Sequence, residues 1–504
     1  MKQNFKRYTC VAGCALLACI AALLMPGVNS RIEAQGPMPT MLHPNLSVRT
    51  LVSGLTTPTT MAFIGDNDIL VLEKNTGKVV RIRNGAIDST VLDLAVNFFS
   101  ERGLLGIALH PKFPQNPGVY LYWTMSTTGL DTTVAAQTPF LGNRVDRFVW
   151  NGTGLTFDLN LIQIRAIQED AGQPQRGNHD GGVLAFEASD DDDSGPAKLF
   201  VFIGDLGRRG WMQNLPCGPT PTCPGPIVPD DQFGGPQPDN GHLSGVILRL
   251  NDDGTTPSDN PFFDFGASMG GEVGANIQKV FAYGFRNSFG MAVDPKSKEL
   301  WIQENSDDAF SELNRVEPGM NGGWIQIMGP VERLDQFKQT ELTFPPSGGI
   351  PGAQLQQIRW PPTNIANTPQ EALSRLFLLP GAEYSDPEFS WRFEVAPGGI
   401  GFVKGRALGP QFEGDLFVGA GTPILAGGYL FHFQLTGNRR RIGVDDPRLD
   451  DRVADNLAKH EGTESESLLI GRDFGVSSDI ETGPNGNLFV VSLTNGAIYE
   501  IYRR

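Results

Sequence analysis

Apolar and polar positions alternate in short blocks along most of the chain. A short apolar strand is followed by a turn of Gly, Asp or Asn, a second β-rich strand, a polar turn and a third strand. The pattern first appears in MAFIGDNDILVLEKNTGKVVRI (61–82) and resumes in GIALHPKFPQNPGVYLYWTM (106–125). A third copy combines GGVLAF (181–186), KLFVFIGD (198–205) and GVILRLNDDG (245–254), and a fourth GMAVDPKSKELWIQENS (290–306) and ELNRV (312–316). A fifth spans 399–435, and the last is SDIETGPNGNLFVVSLTNGAIYEIY (478–502). Asn485-Gly486 and Asn495-Gly496 are hairpin turn pairs. About six such units, each too small to bury its own sheet, predict an all-β, six-bladed propeller. SVRTLV (47–52) stands alone before the first unit. Joining the sheet of the last unit would close the ring and remove a free edge.

Two stretches break the repeat. Residues 211–244 are rich in Pro and Gly, and residues 329–397 form a longer insertion. The second contains Thr368-Pro369-Gln370-Glu371, a capping box with Pro at the first helical position, followed by EALSRLFLL. One or two short helices are therefore expected, with this insertion lying over one face of the propeller.

With 504 residues the chain can bury a large core, and 61 Gly with 37 Pro suit many tight turns. Lys2, Lys6 and Arg7 precede the apolar run Val11–Met25, which Pro26 ends. The run is shorter than the ~20 residues a membrane span needs. Residues 1–34 read as a signal peptide for secretion or export to a periplasm, with 35–504 as the mature propeller. A lipoprotein or a retained anchor is the alternative. Cys217 and Cys223 lie beyond the leader, in a Pro-rich loop, and in an oxidising compartment are expected to pair. The net charge of −16 argues against nucleic acid and favours cations such as Ca²⁺.

Three clusters could carry chemistry. His179 lies on a polar turn (RGNHDGGVLAF) just before a strand, as either a surface turn residue or a general base. Gly204-Asp205-Leu206-Gly207-Arg208-Arg209 places two guanidiniums in a glycine-rich turn, suited to carboxylates or merely exposed. ENSDDAFSELN (304–314) offers carboxylate and amide oxygens to Ca²⁺, or forms a solvated loop. The run Asp190–Asp193 reads as a solvated turn.

GLLGIALHPKF (103–113), NHDGGVLAF (178–186), FIGDLGRRG (202–210), GVILRLNDDGTTPSDNPF (245–262), YGFRNSFGMAVDP (283–295) and ELNRVEPGMNGGW (312–324) occur in this order. In these motifs the chain resembles the soluble PQQ-dependent glucose/sorbosone dehydrogenase family, over nearly all of the mature sequence. The resemblance implies a six-bladed propeller that oxidises aldoses or related polyols with PQQ and Ca²⁺ and passes electrons to an unknown acceptor. It implies His179 as the base, Arg208 as the cation beside the quinone oxygen, and Glu304 as a Ca²⁺ ligand. The family's late Lys and its Arg-x-Arg are absent: the corresponding stretches read GAGTPILAGGYL (419–430) and Val476-Ser477-Ser478-Asp479. Arg176, Arg209 and Arg472 are the cations left to compensate. A non-catalytic propeller binding glycans or proteins and a Ca²⁺-dependent lactonase remain open alternatives.

Overall fold

A computed structural model describes residues 38–167, 177–188, 195–207, 243–343, 362–422 and 427–504. Residues 1–34, Arg176, Asp190–Asp193, Arg208, Arg209, Cys217 and Cys223 lie outside the described residues.

The strands form six separate sheets in an all-β, propeller-like arrangement. In five of them four strands follow one another in chain order. The first sheet runs Pro58–Gly65, Asp68–Glu73, Lys78–Arg83, Ala86–Asp93, and the second Leu104–Leu109, Gly118–Thr124, Asn143–Trp150, Leu155–Ile164. The third begins Leu184–Phe186, Lys198–Ile203, Val246–Asn251, Val280–Tyr283, and the fourth Met291–Val293, Leu300–Glu304, Ala309–Val316, Phe389–Phe393. The fifth begins Pro397–Phe402, Leu416–Ala420, Tyr429–Thr436, Leu469–Arg472. The sixth runs Ser477–Thr482, Leu488–Ser492, Ala497–Arg503, and its outer strand is Leu46–Ser53, paired antiparallel to Ala497–Arg503. The strand expected to close the ring therefore does so.

The first strand of each sheet touches the first strands of the sheets before and after it, and Ser477–Thr482 returns to Pro58–Gly65. These inner strands approach closely: a Cβ on Gly106 would sit 2.0 Å from the Gly182 carbonyl oxygen. Apolar layers fill the spaces between sheets. Leu70 and Leu72 pack toward the second sheet, whereas their neighbours Ile69 and Val71 pack toward the sixth. Both faces of a strand are thus covered, which is why DILVLE reads as an unbroken apolar run.

Two expectations need correction. Four α-helices lie among the described residues rather than one or two: Phe263–Met269, Gly271–Ile277, Leu334–Thr343 and Pro369–Arg375. The first pair escaped notice because its glycines lower helix propensity. Gly266 and Gly274 are needed there for contact, since a Cβ on Gly266 would lie 2.5 Å from the Gly274 carbonyl oxygen. The insertion read as 329–397 is also too wide, because Phe389–Phe393 is a strand of the fourth sheet. Thr368 does cap its helix, accepting from the Glu371 N–H at 3.2 Å. That helix ends at Arg375, with Leu376 already extended. Ala372 and Leu376 join the apolar cluster that contains Phe310, Trp324 and Ile325.

Candidate functional site

In each sheet the first strand begins where the second ends. The residues just before a first strand and just after a second therefore share one end of the molecule. In the third sheet these are His179 and Asp205; in the fourth, Arg286 with Asn287, and Glu304 with Asn305.

His179 is buried and adopts a left-handed backbone, φ +61°. That conformation is disfavoured for a side chain with a Cβ. Its N–H donates to Glu101 Oε2 at 2.7 Å, and the same carboxylate oxygen accepts from Asn287 Nδ2 at 3.0 Å. One carboxylate from the approach to the second sheet thus ties the approaches to the third and fourth.

The imidazole Nδ1 lies 2.6 Å from Asp205 Oδ1. An ionised carboxylate only accepts, so Nδ1 carries the proton and Nε2 keeps its lone pair. Among the described residues Nε2 has no hydrogen-bond partner. Asp205 is fully buried; its Oδ1 also accepts from Gly207 N–H (2.9 Å), and its Oδ2 accepts from Trp324 Nε1 (3.0 Å). This is the geometry of an oriented general base.

Arg286 lies beside the pair, its carbonyl accepting from Asp205 N–H at 2.8 Å. Its guanidinium pairs with Asp307, donates to Asn305 O at 2.9 Å and stands 5.7 Å over the Trp324 ring. Burial works against its charge, but Asp307, Asp205 and Glu101 together hold its pKa above the ordinary value. Its Nε, Asn287 Oδ1 and Ser306 Oγ are buried with no hydrogen-bond partner among the described residues.

Glu304 is buried at the end of its strand, where its carboxylate accepts from Arg286 N–H. It faces Glu312 on the neighbouring strand. Burial and then Glu312 push its pKa well above the usual carboxylate range, and burial pushes Glu312 to about 7. Two further buried groups flank Glu101. Burial raises Asp180 to about 6 and lowers Lys74 to about 7. No cluster of three or more His, Cys, Asp or Glu suited to a metal occurs among the described residues.

The structure thus places His179 and Glu304 at one end of adjacent sheets. Arg208 and Arg209 lie outside the described residues, although Gly207 leads to them from the Asp205 turn. Arg472 is not brought to this centre. It is exposed on Leu469–Arg472, the fourth strand out from the axis, where it pairs with Tyr429 and Thr40. Sequence reasoning missed Glu101, Asp205 as orienter, Arg286, Asn287 and Trp324. The last three stand inside motifs already noted, but nothing in a motif says which side chain turns inward.

Cavities of about 240 and 290 Å³ open elsewhere, the first around His110 and Asp252, the second around Arg49 and Asn485. His110 follows its inner strand, so the first lies at the opposite end from His179.

A family model described as glucose / sorbosone dehydrogenase matches residues 55–337. The chain is 26% identical to the aldose sugar dehydrogenase YliI of Escherichia coli over 74% of this chain and 78% of that protein. It is 28% identical to quinoprotein glucose dehydrogenase B of Acinetobacter calcoaceticus over 56% of this chain and 53% of that protein. The PQQ-bound aldose sugar dehydrogenase of Streptomyces coelicolor superposes with a TM-score of 0.52 at 22% identity, over 91% of this chain and 98% of that one.

Proposed function

The chain belongs to the glucose/sorbosone dehydrogenase family, and from that premise we propose that it is a PQQ-dependent sugar dehydrogenase whose general base is His179. The observation that carries the reading is the buried His179–Asp205 contact of 2.6 Å, which leaves Nε2 as the proton acceptor.

The residues present fit a planar, anionic quinone. Arg286 supplies a buried cation, and the orphaned Arg286 Nε, Asn287 Oδ1 and Ser306 Oγ are polar atoms in want of partners at the same end. These residues, with Arg208 and Arg209, would hold PQQ. The quinone would accept a hydride, and with it both electrons, from the sugar carbon that is oxidised. His179 takes the hydroxyl proton onto Nε2, and Asp205 stabilises the imidazolium so formed. Arg286 offsets negative charge that develops beside it. Its position suits the role assigned to Arg208 from the resemblance.

Calcium fits Glu304. Glu304, whose carboxyl burial and the facing Glu312 hold toward the protonated form, would be relieved by a divalent cation, which prefers oxygen ligands. The six sheets and the cyclic contact of their inner strands support a six-bladed ring. The leader-like residues 1–34 support export to a periplasm or the exterior, and no helix among the described residues is long and apolar enough to cross a membrane. The substrate is an aldose or related polyol, and the electron acceptor is a separate partner.

The test is an optical titration of the purified apoprotein with PQQ and Ca²⁺, followed by turnover with an artificial acceptor. Saturable, Ca²⁺-dependent binding and sugar-dependent reduction are expected. Absence of PQQ binding would give the lead to the non-catalytic propeller, with the missing Lys in residues 419–430 as its cause.

A further inference from the structure

Trp324 stands behind both halves of the centre. Its indole N–H donates to Asp205 Oδ2, the oxygen turned away from His179, and its ring face lies under the Arg286 guanidinium. We propose that Trp324 is a positioning residue for the oxidation: its N–H sets the Asp205 carboxylate that orients His179, and its ring sets Arg286. The proposal rests on the reading of His179 as the base.

The backbone explains why one side chain meets both. Met320–Asn321 pairs in parallel with Val280–Tyr283, placing Asn321 opposite Tyr283. The chain then runs beside Gly284 and Phe285. Gly322 N–H donates to Tyr283 O at 2.8 Å, and Trp324 N–H to Gly284 O at 2.9 Å. Arg286 is the next residue but one along that neighbouring segment. So close an approach demands glycine: a Cβ on Gly322 would lie 2.8 Å from the Gly284 carbonyl oxygen, and one on Gly323 2.8 Å from Tyr384. Gly323 also has φ +90°, where other residues are strained. From behind, Ile325, Ala372 and Leu376 belong to the same apolar cluster as Trp324, so the ring is wedged in place. The insertion thereby supports the site.

The physical consequence follows from the hydrogen bonds of Asp205. Oδ1 is shared by His179 and Gly207, whereas Trp324 donates to Oδ2. Without that donor, the buried Oδ2 loses a hydrogen bond and the carboxylate is held less firmly in its present orientation. The Nδ1–H tautomer of His179 is then less firmly enforced, and a wrong tautomer puts the proton on the nitrogen that must accept one.

The proposal can be read first without cofactor. In apoprotein labelled with ¹⁵N-histidine, His179 (assigned with His179→Gln) should appear as the Nδ1–H tautomer. Trp324→Phe should turn it into a mixture of tautomers. Replacement of Trp324 by benzothienylalanine, which keeps the ring's size and lacks the N–H, should do the same in a protein of unchanged fold. In protein loaded with PQQ and Ca²⁺, both variants should lower kcat about 10- to 100-fold and leave the sugar KM within about twofold. A tautomer unchanged in both variants would overturn the proposal. A tautomer that shifts, in a wild-type protein that oxidises no sugar, would uphold the positioning role and sink the dehydrogenase reading.

Discussion

Where the sixth sheet meets the first, polar side chains hold the ring together. Ser478 Oγ donates to Pro58 O at 3.1 Å, and Asp479 accepts from Met61 N–H at 2.8 Å. Around the approaches to the third and fourth sheets, side chains bind one another: His179 to Asp205, Asp205 to Trp324 and Glu101 to Asn287, with Glu101 also accepting from the His179 backbone N–H. One backbone plan thus serves closure at one junction and convergence at the other. The carboxylates show the contrast. Asp479 rests on backbone donors, and desolvation, with Glu481 adding to it, pushes its carboxyl well above the ordinary range. Among the described residues Asp205 has side-chain donors in His179 and Trp324 as well as the Gly207 N–H. A repeated scaffold becomes a site where side chains satisfy each other as well as the backbone.

If the two junctions divide the work in this way, damage to each should appear in a different measurement. The largest effect is expected from His179→Ala, which should lower sugar turnover by about 10²–10⁴ while the unfolding midpoint in urea moves little. Leu46→Ala should do the reverse. Leu46 is fully buried on the closing strand between the fifth and sixth sheets, and its truncation should cost about 2–5 kcal/mol of stability. The folded fraction should keep its turnover. A Leu46→Ala protein that loses activity in step with His179→Ala, at unchanged stability, would break the comparison.

The buried charges beside the site should show in the pH dependence of stability. Lys74 has a folded-state pKa of about 7 against 10.5 for the free side chain. Between those values the unfolded chain holds the proton and the folded one does not, so stability rises with pH across that window and is lost as pH falls toward 7. Wild-type protein should gain on the order of 2 kcal/mol between pH 7 and 9. Lys74→Met should flatten that rise; an equal slope in both proteins would remove Lys74 as its source. The smallest effect is expected at the insertion. Thr368→Ala loses the cap to Glu371 and should cost about 1 kcal/mol with turnover unchanged.

Much of this division was legible in the chain. The six units, the closing strand and the Thr368 cap follow from local pattern, because strand periodicity, turn pairs and capping act over a few residues. His179 and Glu304 were legible as positions, since each borders a strand in a recognisable motif. What stayed hidden depends on proximity across the ring. Glu101 meets His179 and Asn287 from far along the chain, and Arg286 meets Trp324 only because Gly322 and Gly323 let two segments touch. Arg472 shows the converse. Its charge is right, but its place on an outer strand follows from pairing with Tyr429, which no local pattern reveals. The helices at Phe263–Met269 and Gly271–Ile277 were obscured by the glycines that let them pack.

The central claim is that His179, oriented by Asp205, takes the proton in a PQQ-dependent sugar oxidation. The direct test is steady-state turnover of wild-type, His179→Ala and Asp205→Asn proteins, each saturated with PQQ and Ca²⁺, over a panel of aldoses and polyols with an artificial acceptor. The account predicts sugar-dependent acceptor reduction by wild-type protein and losses of about 10²–10⁴ in both variants, with PQQ binding largely retained. Wild-type protein that binds PQQ yet oxidises no member of the panel, behaving identically to His179→Ala, would contradict it.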